Sequence, residues 1–308
     1  EEADRWYTDP DNNKRPPELL PRDEVARAIN SEVKAGRGSP HGGVFLDIAW
    51  IKDRVPDGAA HIRRKLPSMY HQFKELADLD ITKEPMEVGP TTHYIMGGSR
   101  VDADSQMSTI PGLFAAGECG CESIHGANRL GTNSLLDLLV FGRAAGNHVV
   151  EFNQKNKHHK HLPDNAADIS LARLARLESN STGEYAQNVA NDIRTAMQYH
   201  AGVFRTQKSM DEGVEEIAKL RIRVENIGLK DKSKIFNTAR IEALEVENLI
   251  EAAQATIVSA AARHESRGAH TVDDYGDTPE HPNGRNDTEW HKHTLWHRDG
   301  NKLTYKPV

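Results

Sequence analysis

Cysteine is nearly missing: of 308 residues only Cys119 and Cys121 carry a thiol, with Gly120 between them. Two thiols so close in sequence build no disulfide framework, and no second pair completes a zinc site. They read as ordinary packed or free thiols, which fits a reducing compartment. Long apolar runs are missing too. The longest, Leu135 to Phe141, is interrupted by Asp137 and falls far short of the roughly 20 residues that span a bilayer. The first residues, Glu1-Glu2-Ala3-Asp4-Arg5-Trp6, are acidic and hold no apolar signal-peptide core. Positive charge is in deficit, with 39 Lys and Arg against 46 Asp and Glu for a net charge of −7. That gives no support to a nucleic-acid partner, which would want a basic stripe. An anionic ligand would have to be held by local Arg and His against the global field.

Several catalytic signatures also fail. Gly36-Arg37-Gly38-Ser39-Pro40-His41-Gly42 has one residue too many for a dinucleotide fingerprint and follows a helical pattern instead of a strand. Gly126 and Gly131 have P-loop spacing, but Thr132-Asn133 stands where the phosphate-binding Lys should be. Neither a Gly-x-Ser-x-Gly elbow nor a His-Glu-x-x-His pair occurs, so a hydrolase would lack its nucleophile.

The residues that are present describe a globular chain, 37% hydrophobic and 28% charged. Val25, Ile29 and Val33 predict one face of a helix that stops at Gly36, followed by a short strand at Gly43–Ile48 and a second helical stretch from about Gly58 to Leu79. Pro85–Tyr94 reads as extended, and Ile110–Glu118 as a turn leading into a buried strand. After a polar loop, Ser134 to about Phe152 reads as an apolar helix. This order of strand, loop and helix belongs at the edge of a nucleotide-binding α/β domain. Residues 153–165 are a polar linker. Residues 166–263 are expected to be helical throughout: Val246, Leu249, Ile250, Ala253, Ile257, Ala260 and Ala261 form a sustained apolar stripe, so a small bundle is expected. From Arg267 onward the tail reads as loop-rich.

Three stretches carry candidate chemistry. Thr92-His93-Tyr94-Ile95-Met96-Gly97-Gly98 ends an extended run with an aromatic, a His and two glycines that permit close backbone approach to a ligand. Gly117-Glu118 places a carboxylate beyond the expected strand, where ligands of open α/β sheets sit and where it could meet sugar or ribityl hydroxyls. His125-Gly126-Ala127-Asn128-Arg129 leads into a helix start, with Ser134 and Asp137 spaced like a capping box. A helix N-terminus carries about half a positive charge, and the Arg129 guanidinium offers a donor fork that matches a carboxylate.

His-Tyr-x-Met-Gly-Gly at 93–98, Pro-Gly-Leu-Phe-Ala-x-Gly-Glu at 111–118 and His-Gly-Ala-Asn-Arg-Leu-Gly-x-Asn-Ser-Leu-Leu-Asp at 125–137 together resemble the succinate dehydrogenase and fumarate reductase flavoprotein family. The likeness extends to Pro21-Arg22-Asp23 at one end and to Glu265-Ser266-Arg267-Gly268-Ala269-His270, Asn286-Asp287 and Trp290–His293 at the other. It implies an α+β or α/β chain: a capping-domain portion at 1–84, part of an FAD-binding domain at 85–152, a helical bundle at 166–263 and a C-terminal tail at 264–308. By position it implies Arg22 as the proton-transferring catalytic residue, His93 and Arg129 as ligands of the substrate carboxylates, and Glu118, Ser134 and Leu135 as FAD contacts, with no metal site. The substrate would be succinate or fumarate, and the partners an iron–sulfur subunit and a membrane anchor subunit. The complex would be peripheral on the cytoplasmic face of the membrane. The family's Gly-x-Gly-x-x-Gly turn, flavin-linking His and further substrate ligands lie upstream of its arginine segment, so a C-terminal fragment is expected. Two alternatives stay open: an L-aspartate oxidase-like flavoenzyme, which shares the His-Gly-Ala-Asn-Arg loop, and, for the isolated chain, a non-catalytic helical interaction module.

Overall fold

The computed structural model describes residues 22–158 and 160–308, with only the backbone given for Arg22. Two compact units divide the chain, one ending at His93 and the other running from Tyr94 to Val308.

In the first unit, helix α1 (Arg22–Lys34) carries Asp23 and Glu24 in its first turn and Lys34 in its last, each sign complementing the helix dipole. Asp23 pairs with Arg27 one turn on, at 2.9 Å. Strand β1 (Val44–Leu46) pairs antiparallel with β2 (Met86–Val88), Phe45 opposite Glu87. Helices α2 (Gly58–Lys65) and α3 (Pro67–Ala77) replace the single helical stretch expected at 58–79. Pro67 explains the break: a proline fits a helix's first turn but lacks the N–H that would continue the preceding one. A small core of Ile62, Ile81 and Met86, with Tyr70 and Phe73 against it, holds the unit together.

The second unit opens with a long loop region that includes the short parallel pair β3 (Ser99–Arg100) and β4 (Gly120–Cys121). The buried strand expected within residues 110–118 does not form. A single bridge joins Met107 to Phe114, and a 3₁₀ turn occupies Gly117–Cys119. The Ser108 N–H bonds the Leu113 carbonyl at 2.8 Å, closing the backbone into a tight turn, and no neighbouring strand among the described residues supplies a longer ladder. Helix α4 (Asn133–Lys155) follows. Though apolar in composition, its one fully buried position among the described residues is the acid Asp137, while Leu135, Leu138 and Leu139 are exposed.

The expected bundle is present as helices α5 (Asp168–Ser179), α6 (Ala186–His200), α7 (Gln207–Glu225) and α8 (Thr238–Ala261), with loops between them. Thr206 caps α7 through the Ser209 N–H, and Asn237 caps α8 through the Arg240 N–H, satisfying donors the helices leave open. Helices α6, α7 and α8 pack on one another, with Val189, Ile193, Met210, Ile217 and Ile257 essentially sealed from solvent. The α8 stripe faces inward as its spacing predicts, Leu249 being only partly buried. Arg173 and Arg176 of α5 both bond Glu247 of α8.

The tail is more ordered than its composition suggests. Helix α9 (Asp287–Trp290) leads into an antiparallel hairpin of β5 (Lys292–His297) and β6 (Lys302–Pro307), with Leu295 opposite Thr304. Asp299-Gly300-Asn301 at its turn is a hairpin signal the loop-rich reading passed over.

His270 lies half-buried between tail and bundle. Arg205 Nη1 donates to its Nδ1 at 2.9 Å, and its Nε2–H donates to the Arg263 carbonyl at 3.1 Å. Burial, helped by the Arg205 charge, pushes its pKa down to about 4. The unfolded imidazole takes up its proton near pH 6.5 and the folded one only near pH 4, so folding is opposed as pH falls between those values. Urea unfolding at a series of pH values should show stability falling through that window, with a shallower slope in His270→Gln; equal slopes would contradict an imidazole held neutral by its surroundings.

Candidate active site

The site is built on the loop between Tyr94 and the start of α4. Gly98 sits at φ +125°, and a Cβ there would lie 2.6 Å from the Cys119 carbonyl oxygen. Only glycine lets the two backbone segments meet so closely. The approach brings the Tyr94–Met96 segment beside the 3₁₀ turn, where a Glu118 carboxylate oxygen accepts the Ile95 N–H at 2.8 Å.

At the start of α4 the expected Ser134–Asp137 capping box is absent. The helix begins at Asn133 behind Thr132, which is in a left-handed conformation and makes no side-chain cap. Asp137 is used differently. Its Oδ2 accepts from His125 Nε2–H at 3.0 Å and from the Tyr94 hydroxyl at 3.4 Å, and those two groups are 3.2 Å apart. Only 1% of the Asp137 side chain is exposed, so these bonds, not water, satisfy that oxygen. The Tyr94 and His125 rings meet edge-on, centroids 5.5 Å apart. Burial first, then the Asp137 and Glu118 charges, raise the Tyr94 pKa, so the phenol stays protonated and keeps donating. Burial and the nearby Asp137 charge also raise Glu122.

Arg129 lies over the Tyr94 face, its guanidinium carbon 4.5 Å from the ring centroid. Such a cation–π contact is worth about 0.5–1 kcal/mol, and about 2 when desolvated. Nη1 donates to the Leu130 carbonyl at 3.1 Å, while Nε is buried without a hydrogen-bond partner. His125 Nδ1, Asp137 Oδ1 and Glu122 Oε1 are buried and unpartnered in the same way. Buried polar atoms are rarely left so, and this concentration is what a site that takes a polar ligand looks like.

The second unit therefore gathers Glu118, Arg129, Ser134 and Leu135 on one continuous stretch around the α4 start. Ser134 is half-buried and Leu135 exposed. His93 closes the first unit and is exposed. The Arg22 backbone opens α1, and its side chain lies outside the described residues. Sequence reasoning missed the Tyr94–His125–Asp137 cluster. All three lay inside the quoted motifs, yet a separation of 43 residues between Tyr94 and Asp137 carries no periodic signal.

Comparison with known proteins bears on the same stretch. Residues 6–135 match a family model described as FAD binding domain, and residues 190–308 one described as Fumarate reductase flavoprotein C-term. The chain is 44% identical over 301 residues to the succinate dehydrogenase flavoprotein subunit of Coxiella burnetii, covering 93% of this chain and 48% of that protein. The chain belongs to the succinate dehydrogenase and fumarate reductase flavoprotein family. A second member, the fumarate reductase flavoprotein subunit of Escherichia coli, is 35% identical over 292 residues, 93% of this chain and 46% of its own length. The chain thus spans about half the length of these family members. A solved E. coli quinol fumarate reductase FrdA carrying an E245Q mutation superposes with a TM-score of 0.82 at 34% identity, over 96% of this chain and 50% of that one. Mycobacterium smegmatis Sdh1 in complex with UQ1 gives 0.72 at 44% identity, over 85% and 43%. These neighbours carry the expected fold class, a flavoprotein architecture with a helical bundle.

The Asp137 network makes a direct prediction. Asp137→Ala leaves His125 and Tyr94 without their shared acceptor and should cost about 1–3 kcal/mol of folding stability. Chemical denaturation measures it; an unchanged midpoint would show that the cluster contributes nothing.

Proposed function

We propose that this protein works as the flavoprotein subunit of a succinate dehydrogenase or fumarate reductase, interconverting succinate and fumarate at a bound FAD. The observation that carries the reading is Arg129: a guanidinium seated on the Tyr94 ring with a buried, unpartnered Nε, in a chain of this family. A donor fork held in that state suits a carboxylate, because its positioning cost is met before the ligand arrives.

The residues present fit FAD. Glu118 keeps an exposed carboxylate anchored by the Ile95 amide, suited to a ribityl hydroxyl. The α4 N-terminus, uncapped by the Thr132 side chain, suits the electron-rich end of a flavin, with Ser134 and Leu135 in its first turn. When bound, FAD supplies the two-electron chemistry, accepting a hydride from succinate or returning one to fumarate.

The chain's own side chains hold the substrate and move the proton. Arg129 and His93 each take one carboxylate, fixing the two central carbons in a single orientation. Arg22 exchanges the proton at the carbon next to the one that exchanges hydride, so that the double bond forms or is removed without net charge on carbon. An arginine is too weak an acid to do this in bulk water, so the role calls for a relay and close positioning.

Electrons arriving on the flavin need an exit, so an iron–sulfur subunit and a membrane anchor subunit complete the reading. No helix among the described residues is long and apolar enough to cross a membrane; in this reading the two partner subunits hold the chain peripherally at the cytoplasmic face. The family members named above favour this function over L-aspartate oxidation, and the match to an FAD binding domain model favours it over a non-catalytic helical module.

The test is a pair of variants in the flavin-loaded enzyme. Arg129→Ala should weaken binding of a dicarboxylate such as malonate by roughly 2–5 kcal/mol, read from flavin difference spectra. Arg22→Gln should abolish turnover while malonate still binds. Unchanged affinity in the first, or unchanged turnover in the second, would remove the role assigned to that residue.

A further inference from the structure

The Arg129 loop is supported from below by a part of the chain that is remote in sequence. The Ala269 N–H donates to the Ala127 carbonyl at 3.1 Å. Gly268 is in the left-handed region at φ +58°, and a Cβ built on it would stand 2.8 Å from the carbonyl carbon and oxygen of Ala127. Only a glycine permits that approach, on both counts. The Arg267 and His270 backbones bond each other reciprocally, at 2.8 and 3.1 Å, closing the turn that presents these two residues.

The turn is itself fixed by a sealed carboxylate. Glu265 has no exposed side-chain surface, and it accepts from Arg263 Nη1 at 2.6 Å, Arg267 Nε and Nη2 at 2.7 and 2.9 Å, and the Asn286 N–H at 3.0 Å. Burial alone would raise its pKa; the Arg267 donors, the Asn286 amide and Arg263 outweigh burial and hold it below the usual carboxylate range. A carboxylate satisfied on both oxygens by charged donors is among the stiffer elements a fold can offer.

We propose that the Glu265–His270 turn positions Arg129 for its ligand. The inference rests on the reading of Arg129 as a carboxylate ligand. Peptide planarity makes the mechanism short: fixing the Ala127 carbonyl fixes the plane shared with Asn128, and only the φ and ψ of Asn128 separate that plane from the Arg129 Cα. At its other end the guanidinium rests on Tyr94. The arginine is thus held at backbone and head by two independent contacts. Gly268, Glu265 and Arg267 act through the Ala127 carbonyl and are positioning residues.

The test uses two variants of the flavin-loaded enzyme. Gly268→Asn accepts the left-handed backbone but brings a Cβ against Ala127. Arg267→Lys keeps the charge and loses the fork onto Glu265. Both should raise KM for succinate and Kd for malonate, Gly268→Asn by roughly 10- to 100-fold, the scale of a misplacement near 1 Å, and Arg267→Lys by less. Flavin content and thermal midpoint should stay close to wild type. Normal KM and Kd in Gly268→Asn would overturn the proposal. Loss of flavin and fold in both variants would also overturn it, since that marks a scaffold and not a positioning role. Arg129→Ala separates the levels: if it binds malonate as wild type does, the dicarboxylate reading fails, whereas weak binding there with normal binding in both turn variants removes only the positioning role.

Discussion

The buried carboxylate of Asp137 organises the second unit's site. It sits just past the first turn of a helix whose leucines face outward, and burying an acid is costly unless donors meet it. His125 and Tyr94 meet it, and in doing so they fasten the 125 loop and the Tyr94 segment to the same helix turn. Tyr94 in turn presents its face to Arg129. One desolvated acid thus fixes two loops and, through an aromatic ring, the orientation of a guanidinium.

The arrangement also explains how a chain of net charge −7 could take a dianionic ligand. Most of the acids around the site are already answered: Asp137 by His125 and Tyr94, one Glu118 oxygen by the Ile95 amide and Glu265 by two arginines, while burial pushes the Glu122 pKa up and so disfavours its charge. Short-range geometry prevails over the global field, because a desolvated donor a few ångströms away outweighs exposed charges beyond a Debye length of about 8 Å.

Periodicity made the bundle legible. The α8 stripe needed only its own spacing to declare its buried face. The family resemblance was legible because its motifs are runs of consecutive residues. What failed depended on distant partners. Phe114 and its neighbours have strand composition, yet a strand exists only where another pairs with it, and here Met107 offers one bridge. Ser134 and Asp137 have capping-box spacing, but the acid gains more from Tyr94 and His125, which no local pattern foretells. The β5–β6 hairpin was hidden by charged and His residues on a ribbon that is largely half-exposed, where alternation between apolar and polar positions is weak.

The most direct measurement of the central claim is a double-mutant cycle between Tyr94→Leu and Arg129→Ala, with malonate affinity of the flavin-loaded enzyme as readout. If the ring seats the guanidinium for its ligand, the two losses overlap and the coupling is on the order of 1 kcal/mol. Strictly additive losses would contradict it: ring and guanidinium would then act independently, and Asp137 would have no route through Tyr94 to the bound dicarboxylate.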